Sequence, residues 1–143
     1  MDGPEEKIGV MTDGKILRIS LPGDPKTKLR PRFSRHKGKV RTYSAQSEEE
    51  ETVKWQLKSR MVGLEPLEGP LNVEVICIFG RPKSREKLKE TFHTVKPDLD
   101  NLVKWIGDVG NGILWYDDKQ IVTISAVKIY GEKARTIITV LKA

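Results

Sequence analysis

The sequence predicts an α+β fold in which one mixed β-sheet packs with two main helices. β-rich runs occur near the start, in the middle and twice at the end of the chain, and two helix-like segments separate them. The length of 143 residues suits a single domain, and a domain of this size buries about 70% of the surface that its unfolded chain exposes. We therefore expect a flexible leader over residues 1–14 and one compact domain over 15–143.

The first element of the domain is predicted to be a strand. In the run KILRISL, Leu17, Ile19 and Leu21 alternate with polar residues, and Pro22 ends the pattern. The following stretch, 24–41, holds eight bases, one acid and two prolines. That stretch is too charged to be a buried element, so we expect a basic loop or ribbon.

The first helix has clear boundary signals. Ser47 suits the N-cap with Glu50 at the reciprocal capping-box position, and Gly63 suits the C-terminal stop. Glu48–Glu51 favour the positive end of the helix dipole, so we interpret this glutamate run as structural rather than as a metal site. Trp55 is expected in the core, with a dimer contact as the alternative.

The next strand is predicted to lie at the centre of the sheet. The segment 70–80, PLNVEVICIFG, alternates at first and then becomes apolar on both faces, as a strand with two covered faces does. Cys77 lies there and is expected to serve packing. It is the only cysteine, which excludes an intramolecular disulfide and a multi-cysteine zinc site and fits a reducing compartment. The segment 81–96, with six bases and two acids, is expected to be a mobile basic loop, in which 85–91 is an alternative short helix.

A second helix is predicted to begin within the stretch KPDLDNLVK and to end at a glycine pair. Two rows have helical spacing, an apolar stripe of Leu102, Ile106 and Val109 and a polar row of Asp100, Lys104 and Asp108. Two β-rich runs follow, IVTISAVKIY and RTIITVLK, and Gly131–Ala134 between them suggest a hairpin.

The charge of the chain is unevenly distributed. The net charge is +6, yet residues 96–118 hold five acids and two bases, whereas the rest of the chain holds 24 bases and 15 acids. An acidic island in a basic body is typical of a phosphate-binding surface around a metal centre, although scattered solvated charge is an equally simple explanation. No apolar run is long enough for a membrane helix and no signal peptide is evident, so we expect a cytoplasmic protein.

Two acidic pairs are the candidates for chemistry. Asp98 and Asp100 stand at the start of the second helix, where helix capping is a sufficient explanation by itself. Asp117 and Asp118 follow a glycine-containing turn that allows the chain to fold back, although a simple turn pair with Lys119 is the alternative. Converging carboxylates repel one another, and Mg²⁺ relieves this repulsion with the oxygen ligands it prefers.

Lys104 has two explanations as well. It lies one helical turn from both Asp100 and Asp108, so an intrahelical ion pair is sufficient to account for it. A lysine beside a metal site can instead stabilise charge on a phosphodiester during hydrolysis, with Asp108 as its orienting partner.

The segment KPDLDNLVKWIGDVGNGILWYDDKQIV resembles the motif of the RusA-like Holliday junction resolvases of phages and prophages. The resemblance implies a RusA-like dimeric fold and a Mg²⁺-dependent endonuclease, with Mn²⁺ as a substitute, that nicks opposed strands of four-way DNA junctions. It implies Asp98, Asp100, Asp118 and Lys104 as catalytic residues, and the same three aspartates, helped by Asp117, as metal ligands. The basic segment KTKLRPRFSRHKGKVRTY is similar too, but Leu29 stands where a glycine is expected, which affects the local loop shape.

The basic segments are expected to bind DNA backbone phosphates. Two other functions stay open, a non-catalytic nucleic-acid-binding protein and a metal nuclease for other branched or linear DNA. We expect no organic cofactor and no membrane partner. We expect the protein to be located in the cytoplasm of a bacterial host and to be encoded by a phage or prophage. The predicted DNA-binding residues are Lys26, Lys28, Arg30, Arg32, Arg35, Lys37, Lys39, Arg41, Arg81, Lys83, Arg85, Lys87, Lys89 and Lys96.

Overall fold

A computed structural model describes residues 9–10, 16–28, 32–36, 39–43, 47–83 and 89–143, with side chains over 17–28, 47–83 and 89–143. It confirms the α+β class with a mixed sheet and two main helices. The strands in chain order are β1 (Gly9–Val10), β2 (Ile16–Pro22), β3 (Arg32–His36), β4 (Lys39–Tyr43), β5 (Leu71–Gly80), β6 (Ile121–Gly131) and β7 (Arg135–Lys142). The helices are α1 (Ser47–Arg60) and α2 (Leu99–Gly110), and a short 3₁₀ turn spans Asp118–Gln120.

The main sheet has five strands in the order β1-β2-β7-β5-β6. β5 is an interior strand, parallel to β6 and antiparallel to β7, while β7 holds the middle position that was predicted for β5. The predicted hairpin between β6 and β7 is wrong, since β5 lies between them and the turn at Gly131–Ala134 joins strands that do not pair. The physical reason is burial. The well-buried strands β5 and β7 both lie inside the sheet, whereas β6, with Val122 and Ile124 exposed, is an edge strand.

The two helices cover the sheet and form the core with it. α1 contributes Val53 and Leu57, and α2 contributes its apolar stripe, which is buried as predicted. Trp55 is 69% exposed, so its predicted place in the core is wrong. α1 ends as predicted, before Gly63 at a φ of +79°, which a glycine adopts without strain. Cys77 is buried, as expected for a packing role, and burial raises the pKa of its thiol to about 11.

Strand pairing near the N-terminus differs from the predicted leader and agrees with the predicted ribbon. Gly9 and Val10, inside the predicted leader, pair with Arg18 and Leu17 of β2, while the rest of residues 1–14 lies outside the described residues. The basic segment after β2 includes a ribbon, because β3 and β4 pair antiparallel.

Within the described residues, no helix combines the length and apolar character that a membrane span requires.

The second half of the predicted mobile loop runs along the edge of β6. We call Thr91–Pro97 the strap. Phe92 bridges Ile129, and the His93 ring stacks on Phe79 at a centroid distance of 3.8 Å. Residues 84–88 of the predicted loop, with the alternative short helix, lie largely outside the described residues.

Candidate active site

Asp98 begins the site at the N-terminus of α2. It occupies the N-cap position with an extended backbone, φ −72° and ψ 145°, yet its side chain makes no capping hydrogen bond. Asp100 lies in the first turn of α2 and is exposed. Capping therefore does not account for the Asp98 carboxylate, and Asp100 lies inside the helix rather than at its cap.

The apolar stripe of α2 determines which side chains face outward. Leu102, Trp105 and Ile106 are buried against the sheet, so Asp100 and Lys104 lie on the exposed side. Because an α-helix turns 100° per residue, position 107 lies on the same side as position 100, two turns further along. That side of α2 carries the candidate residues.

The chain returns to this side of α2 through a tight turn. The amides of Ile113 and Leu114 donate to the Gly110 carbonyl, and the Trp115 indole Nε1 donates to Asn111 Oδ1 at 3.0 Å. The indole packs directly on Gly110, where an added Cβ would stand 2.5 Å from the ring. This close contact leads the segment after α2 back toward the helix.

Asp118 lies against α2 at Gly107. A Cβ added to Gly107 would stand 3.2 Å from Asp118 Oδ2, so the missing side chain leaves the space that this carboxylate uses. Burial raises the pKa of Asp118, and the neighbouring carboxylates of Asp117 and Asp108 raise it further. The predicted fold-back of the second acidic pair onto the motif helix is thus present.

Asp117 has a local structural role. Its carboxylate accepts the amide of Lys119 at 2.9 Å, capping the 3₁₀ turn. That backbone hydrogen bond is the main reason why the pKa of Asp117 is lowered. Its predicted contribution as a metal ligand stays a prediction.

Gln120 is a positioning residue that sequence reasoning missed. Its Oε1 accepts the amides of Tyr116 and Asp117 at 2.8 and 2.9 Å, while its Nε2 donates to the carbonyls of Leu67 and Gly69. One side chain therefore fastens the Asp117–Asp118 turn to the segment between α1 and β5. The signal was present, since Gln120 belongs to the motif that carried the resemblance.

Asp117 and Asp118 contact each other, but the predicted metal ligands do not form one cluster. Among the described residues, no three His, Cys, Asp or Glu side chains form a group that could hold a metal ion. Gly107, which marks the position of Asp118, is seven residues after Asp100, about 10 Å along the helix axis. The donor set nevertheless suits Mg²⁺, which takes oxygen ligands and often needs only one or two carboxylates plus a substrate phosphate.

Lys104 is exposed beside these carboxylates. No carboxylate of the described residues lies within ion-pair distance of it. The predicted partner Asp108 accepts instead from Lys28 Nζ at 3.2 Å, so the expectation that Asp108 orients Lys104 is wrong. An intrahelical ion pair therefore does not explain Lys104, which is exposed on the side of α2 that carries the candidate residues.

Three of the predicted DNA-binding residues, Lys26, Lys28 and Arg81, make contacts within the protein. Lys28 Nζ contacts Glu50 Oε1 at 3.0 Å as well as Asp108, and Lys26 pairs with Glu49 at 3.1 Å. Arg81 lies over the ring of Tyr130 at 5.3 Å. Three more, Lys83, Lys89 and Lys96, are exposed. The side chains of Arg30, Arg32, Arg35, Lys37, Lys39, Arg41, Arg85 and Lys87 lie outside the described residues.

Comparison with known proteins identifies a family and two relatives. The family model for endodeoxyribonuclease RusA matches residues 22–141. A crossover junction endodeoxyribonuclease rusA of Lactococcus phage r1t is 29% identical over 125 residues, covering 83% of this chain and 91% of the relative. The uncharacterized protein YqaN of Bacillus subtilis (strain 168) is 30% identical over 129 residues, with the same coverage of both chains.

The chain belongs to the RusA endodeoxyribonuclease family, which confirms the resemblance seen in the sequence. It is accordingly a nuclease that acts on DNA. The catalytic assignments of individual residues stay predictions.

Proposed function

We propose that the protein is a Mg²⁺-dependent, structure-specific endonuclease that resolves four-way DNA junctions by paired, symmetric cuts. The observation that carries the proposal is the position of Asp118 against Gly107, on the side of α2 that also presents Asp100 and Lys104. The name of the phage relative, crossover junction endodeoxyribonuclease, supports the choice of substrate.

The proposed chemistry assigns a role to each residue on that side. Asp98, Asp100 and Asp118 hold the metal, and Lys104 stabilises the charge that develops on the scissile phosphodiester. Mg²⁺, when bound, supplies Lewis-acid stabilisation of the phosphate and acidifies the attacking water. Asp117 and Gln120 hold the turn that presents Asp118. Mn²⁺ is expected to replace Mg²⁺, because it accepts the same oxygen ligands.

We further propose that the working unit is a homodimer. A junction is resolved by two opposed cuts, and a twofold dimer supplies two sites with matching symmetry. Trp55, 69% exposed on α1, is apolar surface of the kind that interfaces bury. Analytical ultracentrifugation at micromolar concentration tests this, and a monomer that stays monomeric on the junction would contradict it.

The catalytic proposal is tested with an immobile four-way junction and a matched linear duplex, each with Mg²⁺ or EDTA. The wild type is expected to cut only the junction and only with Mg²⁺, and Asp98→Asn is expected to bind the junction without cutting it. Junction binding without any Mg²⁺-dependent cleavage by the wild type would leave a non-catalytic DNA-binding protein. Equal cutting of the linear duplex would instead favour a broader metal nuclease.

A further inference from the structure

The last part of the strap lacks backbone support. At its start, the Tyr130 amide donates to the Thr91 carbonyl at 2.9 Å and the His93 amide donates to the Lys128 carbonyl at 3.0 Å. Beyond His93 the chain leaves the edge of β6. Within the described residues, Thr94–Pro97 make no backbone hydrogen bond to another backbone group. The strap then continues directly into Asp98.

Among the described residues, the Lys128 side chain binds this segment. Lys128 Nζ donates to the carbonyls of Val95 and Pro97 at 2.7 and 2.5 Å. An ammonium donor makes such hydrogen bonds shorter and about twice as strong as neutral ones. Lys128 projects from β6, a strand of the main sheet, so the carbonyls are tied to a rigid element.

Lys128 has no competing acidic partner in the described part of the chain. No carboxylate there lies within ion-pair distance of its Nζ. A lysine carries three donors, so the two carbonyls use most of its hydrogen-bonding capacity. An ordinary surface lysine would spread these donors over water, whereas this one is partly buried and directed at the strap.

We infer that Lys128 is a positioning residue for the nuclease site, because it sets the place from which Asp98 presents its carboxylate. The inference rests on the proposed function in assigning Asp98 to catalysis. Pro97 is covalently joined to Asp98, so a shift of the Pro97 carbonyl moves the Asp98 backbone with it. A displacement of about 1 Å at a reacting group can cost about 100-fold in rate.

The test compares Lys128→Met, which keeps the length of the side chain without its donors, with Lys128→Arg, which keeps charge and donors. Lys142→Met is the matched control, because Lys142 is an exposed lysine on β7 of the same sheet. Lys128→Met is expected to lower the cleavage rate at saturating junction and Mg²⁺ by about 100-fold. Its junction affinity, measured in EDTA, should change less than threefold, or about 0.65 kcal/mol. Lys128→Arg should recover most of the rate, and Lys142→Met should match the wild type.

A measurement that does not depend on cleavage separates this inference from the proposed function. The backbone NMR order parameters of Val95, Lys96 and Asp98 are expected to be about 0.85 in the wild type and below about 0.6 in Lys128→Met. If the wild type cuts no junction while these values fall as expected, the positioning holds and the catalytic proposal fails. Lys128→Gln, which keeps one amide donor group, serves the same comparison if Lys128→Met does not fold.

Three results would overturn the inference. One is a wild-type cleavage rate in Lys128→Met. Another is a loss of junction affinity as large as the loss of rate, which would make Lys128 a phosphate contact. The third is an unchanged set of order parameters in the strap.

Discussion

At the scale of single residues, a substitution of Lys104 tests whether its role is structural or catalytic. It is exposed on α2 and has no carboxylate partner in the described residues, so removing it breaks no ion pair. We expect Lys104→Ala to lower cleavage of the junction by about 100-fold or more, as loss of a transition-state charge contact does. Junction affinity should fall only modestly.

The matched control for this change is Lys58→Ala, which removes an exposed lysine from the last turn of α1. Single-turnover cleavage and a gel-shift titration measure the two quantities. A Lys104→Ala protein that cuts normally, or one that loses its thermal transition, would contradict the catalytic role.

A second prediction at the residue scale concerns Gly107. A small substitution there should lower the cleavage activity without lowering the stability of the fold. An alanine Cβ would stand 3.2 Å from Asp118 Oδ2, so Asp118 must move by a few tenths of an ångström. In a helix interior alanine is favoured over glycine by about 1 kcal/mol. Gly107→Ala is therefore expected to keep or raise the free energy of unfolding while it lowers cleavage by about tenfold, since small displacements at a site are costly.

Gly110→Ala is the contrasting variant on the same helix. Its Cβ would stand 2.5 Å from the Trp115 ring, and such overpacking costs about 1–3 kcal/mol. Urea denaturation and junction cleavage of both variants measure the contrast. If Gly107→Ala lost stability as Gly110→Ala does, the space at Gly107 would be a packing feature and not a place for the carboxylate.

Residue patterns predicted which side chains are candidates for the site but not how they are held. Asp100 and Lys104 were identified as candidates because helical spacing is a local property of the sequence, and Asp98 because it lies in the same motif. The contacts of Lys28 and Lys128 were not predicted, since each joins segments more than twenty residues apart. Long side chains of this kind reach partners that only the folded chain brings near. The same applies to Asp118, whose distance from Asp100 depends on the turn around Trp115.

At the scale of elements, the two helices were predicted correctly and the connection between β6 and β7 was not. Periodicity and end signals lie within a helix, so α1 and α2 could be identified from their own residues. Strand pairing depends on which strand competes for which edge. β5 pairs in parallel with β6 from Leu71 to Gly80, and a pairing between segments so distant in the sequence is not encoded in the local pattern of either strand.

The prediction at this scale concerns the ion pairs through which Lys28 connects the two helices. Lys28 joins Glu50 of α1 to Asp108 of α2, and its own amide donates to the Asn101 carbonyl at 3.4 Å. A partly exposed ion pair is worth up to about 1 kcal/mol. Lys28→Met is therefore expected to lower the free energy of unfolding by about 1 kcal/mol at neutral pH and low salt, because it also leaves the two carboxylates without their shared cation.

The pH dependence of the stability that Lys28→Met loses is a stricter test of the role of Lys28. The hydrogen bond from Lys28 to Glu50 is the main cause that raises its pKa, with a further contribution from Asp108. A raised pKa in the folded state means that the stabilisation is complete below the pKa of the unfolded state, about 10.4, and is lost as the pH rises through the folded value. The difference in the free energy of unfolding between wild type and Lys28→Met should be constant from pH 7 to 9 and shrink above pH 10.5. Urea denaturation across this range, with Lys54→Met as control, measures it, and a difference that grows with pH would contradict the assignment.

At the scale of the whole molecule, the distribution of charge is the property that governs DNA binding. The chain carries +6 overall, yet five aspartates lie within residues 96–118. Basic residues around such an acidic site attract the phosphate backbone, while the carboxylates repel it until a cation neutralises them. The Asp98 carboxylate is therefore expected to weaken DNA binding in the absence of a metal, although cleavage requires it.

This opposition predicts that Asp98→Asn changes the two activities in opposite directions. In EDTA the variant should bind the junction at least as tightly as the wild type, and by up to about 1 kcal/mol more tightly at low salt, because one repelling charge is gone. With Mg²⁺ its cleavage should be lost. Glu132→Gln removes the same charge from the exposed turn between β6 and β7, away from the site, and should change neither quantity. Gel-shift titrations at several salt concentrations measure the affinities, and both proteins should show a linear fall of log affinity with log salt. If Asp98→Asn bound the junction more weakly than the wild type in EDTA, the carboxylate would be a direct contact to DNA and not a group that awaits a metal.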